Sequence, residues 1–394
     1  MSIVTAVQLA GTPDLPLLVV LPSLGTSVTT LWSRAAQSLG NEFHVVGIDL
    51  PGHGTNRAPA PETTTMAELA AGVLEAVDAH VAPGATFHYS GDSVGGAIGL
   101  QLLLDAPDRV RSATLLCTAA KIGTAEGWAE RKQQVLTQGT ASLVAASAGR
   151  WFGPGYLERD GETGGAILQD LAHTDATGYA AITDALASFD VRDRLGEITA
   201  PVVAIGGTYD VATPPADLQV IAEGVQQGRQ VTVTDMGHLA PVEETNLVVR
   251  TIRDLAFAAT RNAMTRDEVR EAGFVVRRQV LSDEHVDRSI ARTTDFTRDF
   301  QSMITEYAWG TIWTRPGLDR RSRSLITLMA MIARGHHEEF AMHLKAALRN
   351  GVTVEEIKEV ILQSAIYCGV PDANTAFRIA QETLGEEIND VRRP

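Results

Sequence analysis

The sequence has 394 residues, more than one compact domain usually takes. Its formal net charge of −15 argues against a nucleic-acid or anionic-membrane partner, so any anionic ligand must be met by local arginines. The two cysteines, Cys117 and Cys368, have no CxxC or Cys/His spacing, which offers no metal site and fits a reducing cytoplasm.

The opening MSIVTAVQLAGTPD lacks the basic start and long apolar segment of a secretion signal. No apolar run approaches the roughly 18 residues of a membrane span. The expectation is a soluble, cytoplasmic protein.

From there the chain alternates strands with helices. Apolar runs at 17–23 (LLVVLPS), 44–52 (HVVGIDLPG), 85–91 (ATFHYSG), 110–118 (VRSATLLCT), 201–207 (PVVAIGG) and 229–235 (RQVTVTD) read as strands. Helical patterns lie between them: TTLWSRAAQSLG, TMAELAAGVLEAVDAHV, VGGAIGLQLLLDAP and PADLQVIAEGV. Continuous apolar strands separated by helices imply an α/β domain, a parallel sheet covered on both faces. Residues 121–190 break the rhythm. They carry Trp128, Trp151, Phe152 and Tyr156, look helical, and are expected to form a cap over the strand ends, where such sheets bind ligands.

GDSVGG, at 91–96, sits between the third strand and a helix. Gly91-Asp92-Ser93-Val94-Gly95 fits G-x-S-x-G, a sharp turn that displays Ser93 as a nucleophile. A serine hydroxyl needs a base. Asp210 in GGTYDVATPP and His238 in DMGHLAP follow in the order Ser, Asp, His, with His238 as the base and Asp210 orienting it. The N–H groups of Val94 and of Leu24, in the turn PSLGTS, are the expected oxyanion hole. Asp92 raises an aspartate nucleophile as an alternative, but the register puts serine at the centre. His53 in PGHGTN reads as a turn residue. Trp128 is a candidate pocket wall, and Arg131 and Arg150 are candidates for a substrate carboxylate.

From about Met264 the strand signal stops. TRDEVREAGFVVRRQVLS, DFTRDFQSMITEYAWGTIW, RSRSLITLMAMIAR, HEEFAMHLKAALRNG, TVEEIKEVILQSAIYCG and PDANTAFRIAQETLG all have helical periodicity. Gly351 and Gly369 read as helix stops, Thr353 and Pro371 as starts. The expected organisation is an α/β domain over 1–260 and a separate all-α domain over 265–394, joined by a short linker at 259–266. In the tail, Glu339 and His343 are four apart on one helical face, a carboxylate-held histidine suited to proton donation near neutral pH. His336 and His337 stand at the helix start, where His336 is a candidate for the same pocket. Arg323, on a helix with the apolar residues Leu325, Ile326, Met329 and Ile332, is a candidate for a substrate carboxylate or for a buried ion pair.

LPSLGTS, IDLPGHG, GDSVGGAIGLQLLLDAPDRV, TYDVATPP and GHLAPVE resemble 3-oxoadipate enol-lactone hydrolases of the α/β-hydrolase superfamily, over about residues 10–258. Asp92, where an apolar residue is expected, and Pro22, where a polar one is frequent, depart from that pattern. The tail from RSRSLITLMAMIARGHHEEFAMHLKAALRNG to PDANTAFRIAQ resembles 4-carboxymuconolactone decarboxylase, over about 265–390. The related thiol peroxidases use a Cys-x-x-Cys pair, whereas Cys368 stands alone.

The resemblance implies an α/β-hydrolase fold with a helical cap, followed by a decarboxylase-like domain acting without metal or organic cofactor. Small lactones are the implied substrates, and a homo-oligomer formed through the helical domain is implied too. The alternatives are a general carboxylesterase with a non-catalytic oligomerisation domain, and a redox tail dependent on Cys368.

Overall fold

The computed structural model describes residues 3–390; the expected outer domain limits, Met1 and Pro394, lie outside them. The chain divides into two compact units, the first ending at Thr260 and the second beginning at Arg261.

The first unit is built on seven strands: β1 (Thr5–Ala10), β2 (Leu17–Leu21), β3 (His44–Asp49), β4 (Phe87–Asp92), β5 (Val110–Leu116), β6 (Val202–Gly207) and β7 (Gly228–Val233). Their spatial order is β1-β3-β2-β4-β5-β6-β7. All neighbours pair in parallel except β1, which runs antiparallel to β3. Every residue of β2, β3, β4 and β6 is buried, as a parallel sheet covered on both faces demands. The six expected strands are the parallel ones. The sequence reading missed β1, which lies at the sheet edge and is only half-buried.

Helices α1 (Val28–Leu39), α2 (Met66–His80) and α3 (Val94–Asp105) connect the first strands. Thr65 and Glu68 start α2 with reciprocal side-chain-to-backbone bonds. Residues between β5 and β6 form the cap: α4 (Ala125–Gln138), α5 (Val144–Trp151), α6 (Tyr156–Arg159), α7 (Gly161–His173) and α8 (Ala176–Ser188). Then come α9 (Pro215–Gly224), the short α10 (Ala240–Glu243) and α11 (Thr245–Ala263).

The chain leaves β2 for β3 on one side and returns to β4 on the other. The loops after β2 and β4 therefore diverge and leave a crevice at the carboxyl ends of the strands. Leu24 and Ser93 stand on those two loops.

The second unit is helical throughout: α12 (Arg266–Leu281), α13 (Asp283–Ala291), α14 (Arg298–Ile304), a π-helical segment (Thr305–Ile312), α15 (Arg320–Arg334), α16 (His337–Arg349), α17 (Val354–Tyr367), α18 (Val370–Thr383) and α19 (Gly385–Asp390). The expected linker is helical almost throughout. α11 runs to Ala263, and Thr265 already caps α12 through Glu268. Leu328, Phe340, Leu344, Ile357, Ile361 and Ile379 make one core of this unit. Val276, Val280, Trp309 and Ala346 make another. Helix α13 escaped the sequence reading, and the single helix expected at 295–313 divides into α14 and the π segment.

Candidate active site

Ser93 joins β4 to α3 with φ 55° and ψ −115°, a strained backbone for a residue with a side chain. Its N–H donates to the Leu116 carbonyl (2.8 Å), and its own carbonyl accepts from the Thr118 hydroxyl (2.7 Å). The turn is possible because its flanking residues lack side chains. A Cβ on Gly91 would fall 2.3 Å from the Gly95 carbonyl oxygen, and one on Gly95 would fall 2.9 Å from those of Leu21 and Pro22. The elbow therefore presses α3 against the end of β2.

Asp210 follows β6 and His238 follows β7. His238 Nδ1 lies 2.8 Å from Asp210 Oδ2, both residues being buried. Asp210 Oδ1 also accepts the N–H groups of Ala212 (2.8 Å) and Thr213 (3.0 Å), and Oδ2 accepts the Thr213 hydroxyl (2.7 Å). Burial pushes this carboxyl up, but the His238 ring and the bonds from His238 and Thr213 outweigh it and hold the pKa below the ordinary value. Ser93 Oγ and His238 Nε2 are not hydrogen-bonded in this conformation; such bonds are often long in free enzymes and tighten around substrate.

The His238 loop is tied to the cap. His238 N–H donates to the Trp151 carbonyl (2.8 Å). The Glu243 carboxylate accepts from Gly153 N–H (2.7 Å) and Gly237 N–H (3.1 Å). Glu243 was not singled out from sequence, although it lies only five residues after His238.

The turn after β2 is held by His53. Its Nδ1 lies 2.8 Å from the Pro51 carbonyl, and its Nε2 accepts Gly25 N–H at 2.9 Å. A carbonyl only accepts, so the proton sits on Nδ1. Burial pushes the ring's pKa down, which keeps it neutral. His53 is thus more than the turn residue expected from sequence. Among the described residues, the N–H groups of Leu24 and Val94 have no hydrogen-bond partner. Tyr179 stacks on His53 with ring centres 6.3 Å apart, and with Leu171 and Trp151 it closes over Gly25.

The expected substrate contacts divide. Arg131 and Arg150 both lie close enough to Tyr179 for their charges to act on its hydroxyl. Trp128 is half-buried and donates its Nε1–H to the Ile122 carbonyl (2.6 Å), a packing role within the cap. Tyr179 had no local signal in the sequence, because its partners come from distant loops.

Asp92 is fully buried, and neither carboxyl oxygen has a hydrogen-bond partner. Burial, then the charges of Asp210 and Glu243, push its pKa well above the ordinary value, with only the Ala240 N–H acting the other way. Burial thus favours its protonated form, compatible with a position where an apolar side chain is expected. Cys117 shares the cluster: its Sγ and ligand atoms of Asp210 and His238 all lie within 4.8 Å of one another. Burial pushes the thiol's pKa up, with the charges of Asp92 and Asp210 adding to the shift.

In the helical unit the expected Glu339–His343 pair does not form. Glu339 is exposed and makes no hydrogen bond to His343, which is buried on α16. Burial, reinforced by His285, pushes His343 down to about 4, and the Glu339 charge only partly opposes this. His343 is therefore a neutral imidazole at pH 7, not a carboxylate-held imidazolium. His285, on α13, was missed together with its helix. His336 is exposed at the N-terminus of α16. Arg323 forms neither expected contact: it donates to the backbone carbonyls of Leu318 (3.1 Å) and Arg315 (2.7 Å), closing the turn before α15.

Residues 16–153 match the model of the alpha/beta hydrolase fold, and residues 298–382 that of the carboxymuconolactone decarboxylase family. The chain is 34% identical over 234 residues to 3-oxoadipate enol-lactonase 2 of Acinetobacter baylyi, covering 59% of this chain and 86% of that protein. It is 46% identical over 119 residues to 4-carboxymuconolactone decarboxylase of the same organism, covering 30% of this chain and 89% of that protein. The crystal structure of the enol-lactonase from Burkholderia xenovorans superposes with a TM-score of 0.60 at 30% identity, covering 64% of this chain and 95% of that one. Among the described residues, no helix is long and apolar enough to cross a membrane.

Proposed function

The chain belongs to two families at once, the alpha/beta hydrolase fold in its first unit and the carboxymuconolactone decarboxylase family in its second, and from that premise we propose that it catalyses two consecutive reactions. The second unit decarboxylates 4-carboxymuconolactone to 3-oxoadipate enol-lactone; the first hydrolyses that enol-lactone to 3-oxoadipate. The observation that carries this reading is the pairing itself. One chain joins a stretch similar to an enzyme named for the enol-lactone with a stretch similar to one named for the lactone that yields it.

In the first step carbon dioxide leaves a carbon conjugated, through the ring double bond, to the lactone carbonyl. The bonding pair moves through that double bond onto the lactone oxygen, and a proton then returns to ring carbon. The substrate is its own electron sink. The enzyme has to steady the developing oxyanion and manage one proton, and a neutral His343 can donate its N–H to that oxygen. Glu339 contributes at most through its field.

In the second step Ser93 attacks the lactone carbonyl while His238 takes its proton and Asp210 steadies the imidazolium. The oxyanion meets Leu24 and Val94 N–H, each such donor being worth about 10²–10³ in rate. The ring oxygen leaves as an enolate that becomes the ketone, a far better leaving group than an alkoxide. Water, deprotonated by His238, then releases the acid. Arg131 and Arg150 are the groups proposed to hold the substrate carboxylate, supported by the charges both bring to the Tyr179 hydroxyl.

We also propose a homo-oligomer formed through the helical unit. Ile326, Leu362, Ile366, Tyr367 and Val370 leave much of their apolar surface exposed there. The free thiols Cys117 and Cys368 favour a cytoplasmic location.

The test is to supply 4-carboxymuconolactone to the intact protein and follow both products. One carbon dioxide and one 3-oxoadipate per lactone is the expected result. Ester hydrolysis without carbon dioxide release would instead indicate a carboxylesterase carrying a non-catalytic helical unit.

A further inference from the structure

Arg277, on α12, is only 5% exposed, yet among the described residues it has no carboxylate partner. Its Nη1 donates to Gln301 Oε1 and Thr305 Oγ1, both at 3.2 Å, and its Nη2 donates to Ser289 Oγ at 3.0 Å. All three acceptors are neutral. Its Nε is buried with no hydrogen-bond partner. A buried cation normally has a counter-charge, because leaving one unpaired is costly.

Two further arginines stand near His285: Arg288, exposed and paired with Glu284, and Arg349, which donates to the Leu281 carbonyl. His285 lies in the fields of Arg277, Arg288 and Arg349, and His343 lies in that of His285. The acidic group acting on His343 is the exposed Glu339. Among the described residues the Arg277 guanidinium itself stands buried without a counter-charge.

The backbone around the guanidinium is closely packed. Thr305 opens the π-helical segment, an irregularity frequent at functional sites. A Cβ on Gly273, one turn before Arg277, would fall 2.2 Å from the Thr305 carbonyl oxygen, so α12 lies directly against that segment. The neutral acceptors thus fix the guanidinium in place and leave its Nε free.

We propose that Arg277 binds the carboxylate that the substrate keeps when carbon dioxide leaves. The identity of that substrate rests on the decarboxylase reading above; the unpaired buried cation does not. A guanidinium recognises a carboxylate through a planar, charge-assisted fork. The lactone carries two carboxylates. Breaking the carbon–carboxylate bond sends its electron pair into the ring, so charge drains from the departing group. A guanidinium on that group would hold the ground state more tightly than the transition state and slow the reaction. On the retained acetate arm it binds both equally, anchoring the ring beside His343 without opposing the loss.

The test uses the full-length chain with Ser93→Ala, so that the enol-lactone is not consumed, and compares it with the same protein carrying Arg277→Met or Arg277→Lys. Carbon dioxide release is measured with the diacid and with the methyl ester of the acetate arm. Arg277→Met is expected to raise KM for the diacid roughly 10- to 100-fold with a smaller change in kcat, and Lys to restore part of it. Esterification is expected to raise KM for the Ser93→Ala parent by a similar factor and to leave the Met variant indifferent. Equal discrimination by both proteins, or a loss confined to kcat, would overturn the assignment.

If Arg277→Met does not fold by circular dichroism, Arg277→Lys takes its place: discrimination between diacid and ester weaker than the parent's supports the assignment, and equal discrimination overturns it. If the parent releases no carbon dioxide, the substrate reading has failed and thermal melts with millimolar succinate decide. Stabilisation of the parent but not of the Arg277 variant that folds supports a carboxylate site at Arg277. Stabilisation of neither or of both overturns it.

Discussion

The Nε2 atom of His53 accepts the Gly25 N–H at 2.9 Å, across 28 residues of sequence. That bond ties down the turn after β2 that carries Leu24, the proposed oxyanion donor. His53→Ala leaves Gly25 N–H buried and unpaired, at a cost of roughly 1–3 kcal/mol in a denaturant melt. It is also expected to lower kcat for enol-lactone hydrolysis about tenfold or more, as a displaced oxyanion donor does. His53→Phe, which keeps a ring for Tyr179 but offers no acceptor, is expected to lose kcat to the same extent. An unchanged kcat in both variants would show that the bond does not position the turn.

Asp92 gives a pH-dependent prediction. Its folded pKa lies well above the ordinary value of 3.8, so the folded state favours the protonated form. Such a group contributes stability below pH 3.8 and loses it as pH rises, because the unfolded chain gains by ionising. Asp92→Leu removes both the unpaired carboxyl and this penalty. It is expected to stabilise the protein at pH 7 by roughly 1–3 kcal/mol, the cost of an unsatisfied buried group. Urea melts from pH 7 down to pH 3 are expected to show that margin shrinking. A variant destabilised at pH 7 would mean that the carboxylate is ionised and paired.

The helical unit separates two residues that the sequence presents as a pair. His343 is buried and neutral, whereas Glu339 is exposed and unbonded to it. His343→Ala is expected to reduce carbon dioxide release by about 10²-fold or more, the usual range for a lost proton-transfer group. Glu339→Gln is expected to stay within a few-fold of the parent. Equal losses from the two substitutions would restore the coupled pair.

Much of this architecture is legible in the sequence where the signal is local. The six parallel strands are continuous apolar runs because both of their faces are covered, and the Ser93 elbow is written in glycines within two residues of it. β1 is not legible in the same way: TAVQLA is short, lies at an edge and is half-buried, so it never becomes a continuous apolar run. Asp210 and His238 are found by their order after strands. Tyr179, Glu243, His53 and Arg277 act through atoms brought by distant segments, which no spacing rule announces. Glu339 shows the opposite failure. Its i,i+4 spacing from His343 is real, but burial of one partner and exposure of the other decide the chemistry.

The most direct measurement is made on Ser93→Ala supplied with 4-carboxymuconolactone, with carbon dioxide, enol-lactone and 3-oxoadipate followed together. Carbon dioxide release at the parent rate, with enol-lactone accumulating and its enzymatic hydrolysis reduced by about 10³-fold or more, is the predicted result. Formation of 3-oxoadipate at the parent rate would contradict it, because the acyl intermediate would then not be built on Ser93.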